Sequence, residues 1–321
     1  MRAIVDVVLP VFGLIFAGVA AGRFRILGQE SSQALNGFVY WFALPPLLFL
    51  GMARVPVAQA MNLPFITAYL GGAIVVFVLI VVTWRWLFPG SAAELSMAGM
   101  NGTFANTGYM GIPLYMTAYG PEGMLPAVIA AVINGAVITG AMIVLVELTQ
   151  GGAEQRLGRV LADVGHTLIT NPLVVAPVAG LIVSALGMTL PKPLATFGDL
   201  LAASAGPCAL FAVGLFIASR PLDTLVRGRK AVESAWLVAI KLIVYPLVTW
   251  LIAITLDMDA FWTASAVILS ALPTGALAFV VAQQYRVYIE RTSAVILAST
   301  VLSLVTLSAV VVLLGDVRPS P

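Results

Sequence analysis

Between Asn101 and Pro113 the chain reads NGTFANTGYMGIP. Gly102, Thr103, Asn106, Thr107, Gly108, Gly111 and Pro113 therefore fall inside an otherwise hydrophobic segment, 92–119. A continuous helix is disfavoured there. Pro113 removes a backbone donor and crowds the carbonyl four residues earlier, while the glycines lower the cost of leaving helical geometry. In the hydrophobic segment 260–285, Leu272-Pro273-Thr274-Gly275 forms an equivalent break. Irregular backbone at membrane depth is tolerated only where it is buried in protein or lines a cavity. Two broken segments at matching places in the two halves of a chain point to a binding site near the bilayer midplane.

The surrounding composition makes lipid the relevant solvent. Hydrophobic residues make up 61% of the 321 positions and charged residues only 9%, with a mean hydropathy of +1.05, far from a soluble domain. Apolar runs of about 20 residues recur along the chain, each long enough to cross a hydrocarbon core of about 30 Å as a helix. Runs such as Ile74 to Val82 lack the alternation of a barrel strand. Charged, proline and glycine clusters delimit ten expected spans: 4–22, 33–53, 64–88, 92–119, 124–148, 168–187, 196–219, 231–255, 260–285 and 291–314. The expected fold class is an all-α membrane protein. The first span resembles a signal peptide, with Arg2, an apolar stretch from Val7 and small residues near Ala20. Its matching copy later in the chain argues that it is retained.

Lys and Arg fall unevenly in alternate loops. Arg2, Arg54, Lys192 and Arg318 lie on one side, and Arg23, Arg25, Arg85, Arg156, Arg159, Arg220, Arg227, Arg229, Lys230, Arg286 and Arg291 on the other. The second side is expected to be cytoplasmic, leaving both termini outside the inner membrane. The chain also reads as duplicated. Pro10-Val11-Phe12-Gly13-Leu14-Ile15 resembles Pro177-Val178-Ala179-Gly180-Leu181-Ile182 at an offset of 167. Pro46 matches Pro207, Thr83-Trp84 matches Thr249-Trp250, and Thr107-Gly108 matches Thr274-Gly275, at offsets of 161, 166 and 167. Five spans per copy force opposite topologies, the inverted-repeat plan of many carriers. The expected units are 1–148, a cytoplasmic linker at 149–167, and 168–321.

If the two breaks cross, two half-helix N-termini face one site, each with free N–H groups and about half a positive charge. Such a pocket favours a carboxylate. Asn106, Thr107, Gly108, Pro273, Thr274 and Gly275 are the candidate binding residues, with Pro113 and Pro273 as the helix breakers. The bland alternative is that Pro and Gly only kink lipid-facing helices. Lys241 lies 11 residues beyond Lys230, about 16 Å into the bilayer at 1.5 Å per residue. It must face protein or water. It reads either as a fixed charge beside an anion or ion path, or as a structural partner for a carboxylate or for the carbonyls of a broken helix. No carboxylate lies at matching depth, because Asp6, Glu147 and Asp199 fall near span ends. Asn134 is near midplane, with Thr300 as its repeat counterpart, and is a further candidate for lining the site. Ser299, Ser303 and Thr306 form a polar stripe for which hydrogen bonding between helices is the simpler reading.

Other function classes lose support. A net charge of +2 with scattered basic residues argues against nucleic acid, and the single cysteine, Cys208, excludes an internal disulfide or a multi-cysteine metal site. No Ser/His/Asp set, glycine-rich phosphate loop or His/Cys metal spacing occurs, and His166 falls in the linker, so catalysis and a cofactor are not expected.

The stretches VLPVFGLIFAGVAAGRF from Val8, NGFVYWFALPPLLF from Asn36, NTGYMGIPL from Asn106 and NPLV from Asn171, with the break at Pro273, resemble the auxin efflux carrier family, which includes bacterial members and the PIN-type plant carriers. The resemblance covers nearly the whole chain. It implies a fold shared broadly with bile acid sodium symporters: a scaffold from 1–55 and 168–220, and a mobile transport domain from 62–148 and 231–315. Substrate, implied to be a dicarboxylate such as malate or malonate, would bind at the crossover and move by an elevator-like displacement. Relatives imply a homodimer through the scaffold. The acidic sodium ligands of the bile acid branch are missing near span nine, where Gln283 and Gln284 stand further along. A sodium-coupled symporter and a non-transporting receptor are the alternatives. The coupling ion, H+ or Na+, is left open.

Overall fold

The computed structural model describes residues 9–88, 90–120, 123–150, 165–166, 169–219, 228–314 and 317. Most of the 149–167 linker, and Arg2, Asp6, Arg156, Arg159, Arg220, Arg227 and Arg318, lie outside the described residues. Among these residues the regular elements are helices and no strand forms. They are α1 (Leu9–Arg23), α2 (29–53), α3 (Leu63–Leu87), α4 (Ala92–Thr103), α5 (107–119), α6 (125–150), α7 (Pro172–Ala185), α8 (Lys192–Ala218), α9 (229–255), α10 (Ala260–Ser270), α11 (Leu277–Tyr285) and α12 (Ile289–Leu314). Six of these, α2, α3, α6, α8, α9 and α12, are long and apolar enough to cross a membrane, while α1, α7 and α10 are shorter apolar helices. The expected segments 92–119 and 260–285 are each divided in two, so neither half reaches spanning length.

Polar residues in the connections set where the helices begin. Asn62 accepts from the N–H of Phe65 at the start of α3, Asn171 from Leu173 at α7, and Asp259 from Phe261 and Trp262 at α10. Ser91 and Glu94 form a reciprocal capping box at α4. Four helices contain a wider π turn. Three of these, Val39–Ala43, Thr107–Gly111 and Ile240–Val244, stand just before Pro45-Pro46, Pro113 and Pro246. A proline has no N–H and its ring crowds the carbonyl four residues back, so the turn before it opens. The fourth, Ile133–Ile138, has no following proline; there the Thr139 hydroxyl donates to the carbonyl of Asn134 at 2.9 Å, inserting into the ladder.

Packing divides the helices into two groups. In one, α1 lies along α8 and α2 along α7, with α2 and α8 also in contact. A Cβ on Gly18 would meet the carbonyl of Phe211, one on Gly214 the carbonyl of Ile15, and one on Gly180 the carbonyl of Phe49. These glycines let the backbones touch. In the other group α3 packs on α9, α4 on α3 and α6, and α9 on α12. A polar cluster ties its ends together. Trp84 donates to Glu233 at 2.7 Å, Tyr288 donates to the same carboxylate, and Arg291 bridges Glu233 at 3.4 Å and Glu94 at 3.2 Å. Arg229 reaches the carbonyl of Leu87 at 2.6 Å, and Lys230 pairs with Glu290 at 2.9 Å. Arg54 stands apart from that cluster, paired with Asp199 at 2.8 Å beside the Ser184 hydroxyl, which donates to Val55.

Candidate functional site

The two interruptions lie against each other. α4 stops at Thr103 and α5 starts at 107; α10 stops at Ser270 and α11 starts at Leu277. Between them, Ala105 and Thr274 form an isolated antiparallel bridge. The N–H of Asn106 donates to Pro273 O at 2.9 Å, and that of Gly275 donates to Phe104 O at 3.1 Å. These bonds exchange under a shift of 169 residues, two more than the 167 that aligns Thr107 with Thr274. A Cβ on Gly275 would press into the Phe104 ring, so this approach needs glycine. Thr274 is fully buried; its hydroxyl donates to Asn101 O at 2.7 Å and its N–H to Ser299 Oγ at 3.1 Å. Ser299 thus ties α12 to the break between α10 and α11, whereas Thr306, like Ser303, bonds a carbonyl of its own helix, so the expected stripe does not join helices as a whole. Thr300 and Ser303 bond within their own helix.

A cavity of about 900 Å³ opens beside the bridge, between the two helix groups. Asn106, Thr107, Gly108 and Asn134 line it, as does Thr300. Both second half-helices begin on it, α5 through Thr107, Gly108 and Tyr109, and α11 through Ala276 and Leu277. First-turn amides carry the positive end of a helix dipole, though here the N–H of Thr107 is already taken by Ala105 O at 2.8 Å, and those of Ala278 and Phe279 by Gly275 O at 3.1 Å and Ala276 O at 3.0 Å. Asn106 as a residue is 95% buried, and its carboxamide makes no hydrogen bond with another described residue. Asn134 donates to Tyr69 Oη at 2.9 Å and to Thr107 Oγ1 at 3.0 Å, while its own Oδ1 is buried without a donor among the described residues. The described lining residues include no Asp, Glu, Lys or Arg. An anion would be held there by dipoles, amides and hydroxyls.

Pro273, Thr274 and Gly275 do not line the cavity; they build the wall behind it. Lys241 is not in it either. It is fully buried, donates to Ser270 O at 2.6 Å and lies over the Tyr245 ring at 4.8 Å. Of the readings open for this lysine, the geometry matches the partner of a broken helix's carbonyls. Pro113 also has a different place from the one expected. The α4/α5 break is at 104–106, and Pro113 follows a π turn inside α5. Pro273, in contrast, sits within its break.

Sequence reading missed the α2 contribution. Gln33, Asn36 and Tyr40 line the cavity, spaced i, i+3 and i+7, together with Ser32, from the polar first half of α2. That spacing puts them on one face, a signal that was available. Tyr40 donates to Asn171 Oδ1 at 3.2 Å, joining α2 to the cap of α7.

A family model described as membrane transport protein matches residues 3–311. The protein named "Putative malonate transporter" in Rhizobium meliloti (strain 1021) is 36% identical over 317 residues, covering 98% of this chain and 97% of that protein. "Uncharacterized transporter YfdV" of Escherichia coli (strain K12) is 25% identical over 307 residues, 92% of this chain and 93% of that one. The "Lysosomal cholesterol signaling protein" of Mus musculus is 28% identical over 253 residues, 74% of this chain but 28% of that protein.

Proposed function

The chain belongs to the auxin efflux carrier-type membrane transport family, a family of transporters and not of enzymes, and from that premise we propose that it is a secondary carrier of a small organic anion, a dicarboxylate such as malonate or malate. The observation that carries this reading is the bridged pair of interruptions, with two half-helix N-termini opening on one cavity whose described lining residues carry no charged side chain. An anion held by fixed dipoles and neutral donors brings its own charge, so the site changes net charge when loaded and emptied. The substrate in the Rhizobium relative's name supports malonate as the first ligand to test.

In this reading the chain forms two inverted five-span repeats. α1, α2, α7 and α8 make a scaffold, and the remaining helices a transport domain that carries the site past it. The exchange of partners, α1 with α8 and α7 with α2, supports such a two-fold relation. The ends bearing Arg23, Arg25, Arg85, Arg229, Lys230, Arg286 and Arg291 are cytoplasmic, and both termini are outside. Gln33 and Gln283, which follow Arg25 and precede Arg286 in the chain by eight and three residues, line the cavity, which supports a state open toward the cytoplasmic end. Moving one negative charge inward against 100 mV costs about 2.3 kcal/mol, so uncoupled flux favours export.

The test is purified protein in vesicles, with labelled malonate exchanged against unlabelled mono- and dicarboxylates. Saturable counterflow with at least one dicarboxylate is expected, alongside a rise in melting temperature with the same ligand. Vesicles that move no carboxylate under any gradient refute the reading. Flux that vanishes when sodium is replaced by potassium favours the sodium-coupled symporter.

A further inference from the structure

We infer that Lys241 is a tethered cation: its ammonium occupies the place at the carbonyl end of α10 that a free cation would otherwise fill, and it sets the crossover as a positioning residue without touching substrate. The inference relies on the carrier reading for its transport measurement.

α10 ends at Ser270 inside the protein, which leaves last-turn carbonyls without helical donors and concentrates about half a negative charge there. Val267 O is already taken by the N–H of Ala271 at 2.9 Å and the hydroxyl of Ser270 at 2.8 Å. Ser270 O receives Lys241 Nζ at 2.6 Å. The ion pairs found among the described residues, Arg54–Asp199, Lys230–Glu290 and Arg291 with Glu94 and Glu233, leave Lys241 out. Its counter-charge among those residues is the helix end itself, with the face of Tyr245 on the other side. Carbonyl ends of interrupted helices are where coupling cations are held in broken-helix carriers, and hard cations take such oxygens. Here a four-carbon stem brings the charge to the same oxygen. The π turn Ile240–Val244 displaces that stretch of α9 from regular helical register at the lysine. The partner end, α4, is finished differently: Asn101 O takes the neutral hydroxyl of Thr274 at 2.7 Å. One interruption therefore carries a cation and the other does not.

The experiment uses wild type, Lys241→Ala and Lys241→Gln in vesicles with choline as the sole cation, measuring malonate counterflow before and after adding sodium or methylammonium. Wild-type rates are expected to agree within twofold in all three media. Lys241→Ala should be at least tenfold slower in choline and regain at least fivefold when a small cation can enter the vacated space. Lys241→Gln, which keeps a donor but no charge, should be as slow, and it carries the test if the alanine variant does not reach the vesicles. Either variant matching wild type in choline, a wild type that stops without sodium, or an alanine variant that no small cation restores overturns the inference. If wild-type vesicles move no carboxylate in any medium, the carrier reading is what fails. Lys241 is then judged by unfolding: a melting temperature lowered by the alanine change and recovered by methylammonium upholds the tethered cation, and one indifferent to methylammonium overturns it.

Discussion

Asn106 carries the most at the residue scale because its main chain and side chain serve different ends. Its N–H holds Pro273 O, and its carbonyl accepts from Met110 and Gly111, so the backbone fixes the bridge whatever the side chain is. The carboxamide is left for the cavity. Asn106→Ala should therefore lower dicarboxylate counterflow at least tenfold, equivalent to about 1.4 kcal/mol, while the melting temperature stays within a few degrees. Wild-type flux in that variant would remove Asn106 from the site. Asn134 works differently, since its amide also joins Tyr69 to Thr107 and its loss would disturb packing as well as binding. Lys241 shows why depth alone does not identify a ligand-binding charge. A lysine at a helix centre costs about 2.5–3.5 kcal/mol on insertion scales. Contact with a helix carbonyl end returns up to about 2 kcal/mol. A structural partner can thus account for most of that cost.

The interrupted helices were the legible part at the scale of elements. Pro273 and its neighbours mark a break that does form, and NGTFANTGYMGIP locates the other within a few residues. Register was less legible. Residue identity aligned Thr107 with Thr274, yet the bridge pairs Ala105 with Thr274, because backbone bonds set the geometric equivalence and do not depend on side-chain letters. Pro113 misled in the same way, since a proline opens the turn before it and need not end the helix. The repeated motif in α1 and α7 gives a direct test of how far likeness of sequence extends to packing. Gly13 and Gly180 match at an offset of 167, but a Cβ at Gly13 would meet nothing within 4 Å, whereas one at Gly180 would strike the main chain of Phe49 and Ala53. Gly180→Ala should destabilise the purified protein by about 1–3 kcal/mol, the usual penalty of overpacking, and Gly13→Ala should be neutral. Thermal unfolding in detergent reads both, and equal effects would mean that the α2–α7 crossing is looser than the contact implies.

For the molecule as a whole, the proposed displacement has to occur where the two helix groups meet, and α2 against α6 is such a place. A Cβ on Gly51 would stand 3.5 Å from Cγ2 of Val128 and 2.9 Å from the mobile end of Met124. Val128 Cβ lies one bond from that Cγ2 and beyond 4 Å, so cysteines at 51 and 128 would have their Cβ atoms about 4–5 Å apart, at the upper edge of the separation of about 3.5–4.5 Å that a disulfide takes. Cys208, which is free and half-buried, would be replaced by serine so that only the intended pair can react. In a carrier whose site travels with α6 past a fixed α2, oxidising Gly51→Cys/Val128→Cys joins the moving part to the stationary one. Counterflow should fall at least tenfold and return with reductant, while malonate still raises the melting temperature of the oxidised protein, because the cavity lies open in the state being trapped. Binding and transport would then be separated by one covalent bond. Undiminished flux with the disulfide formed would mean that α2 and α6 move together, and the boundary between scaffold and transport domain would have to be drawn elsewhere.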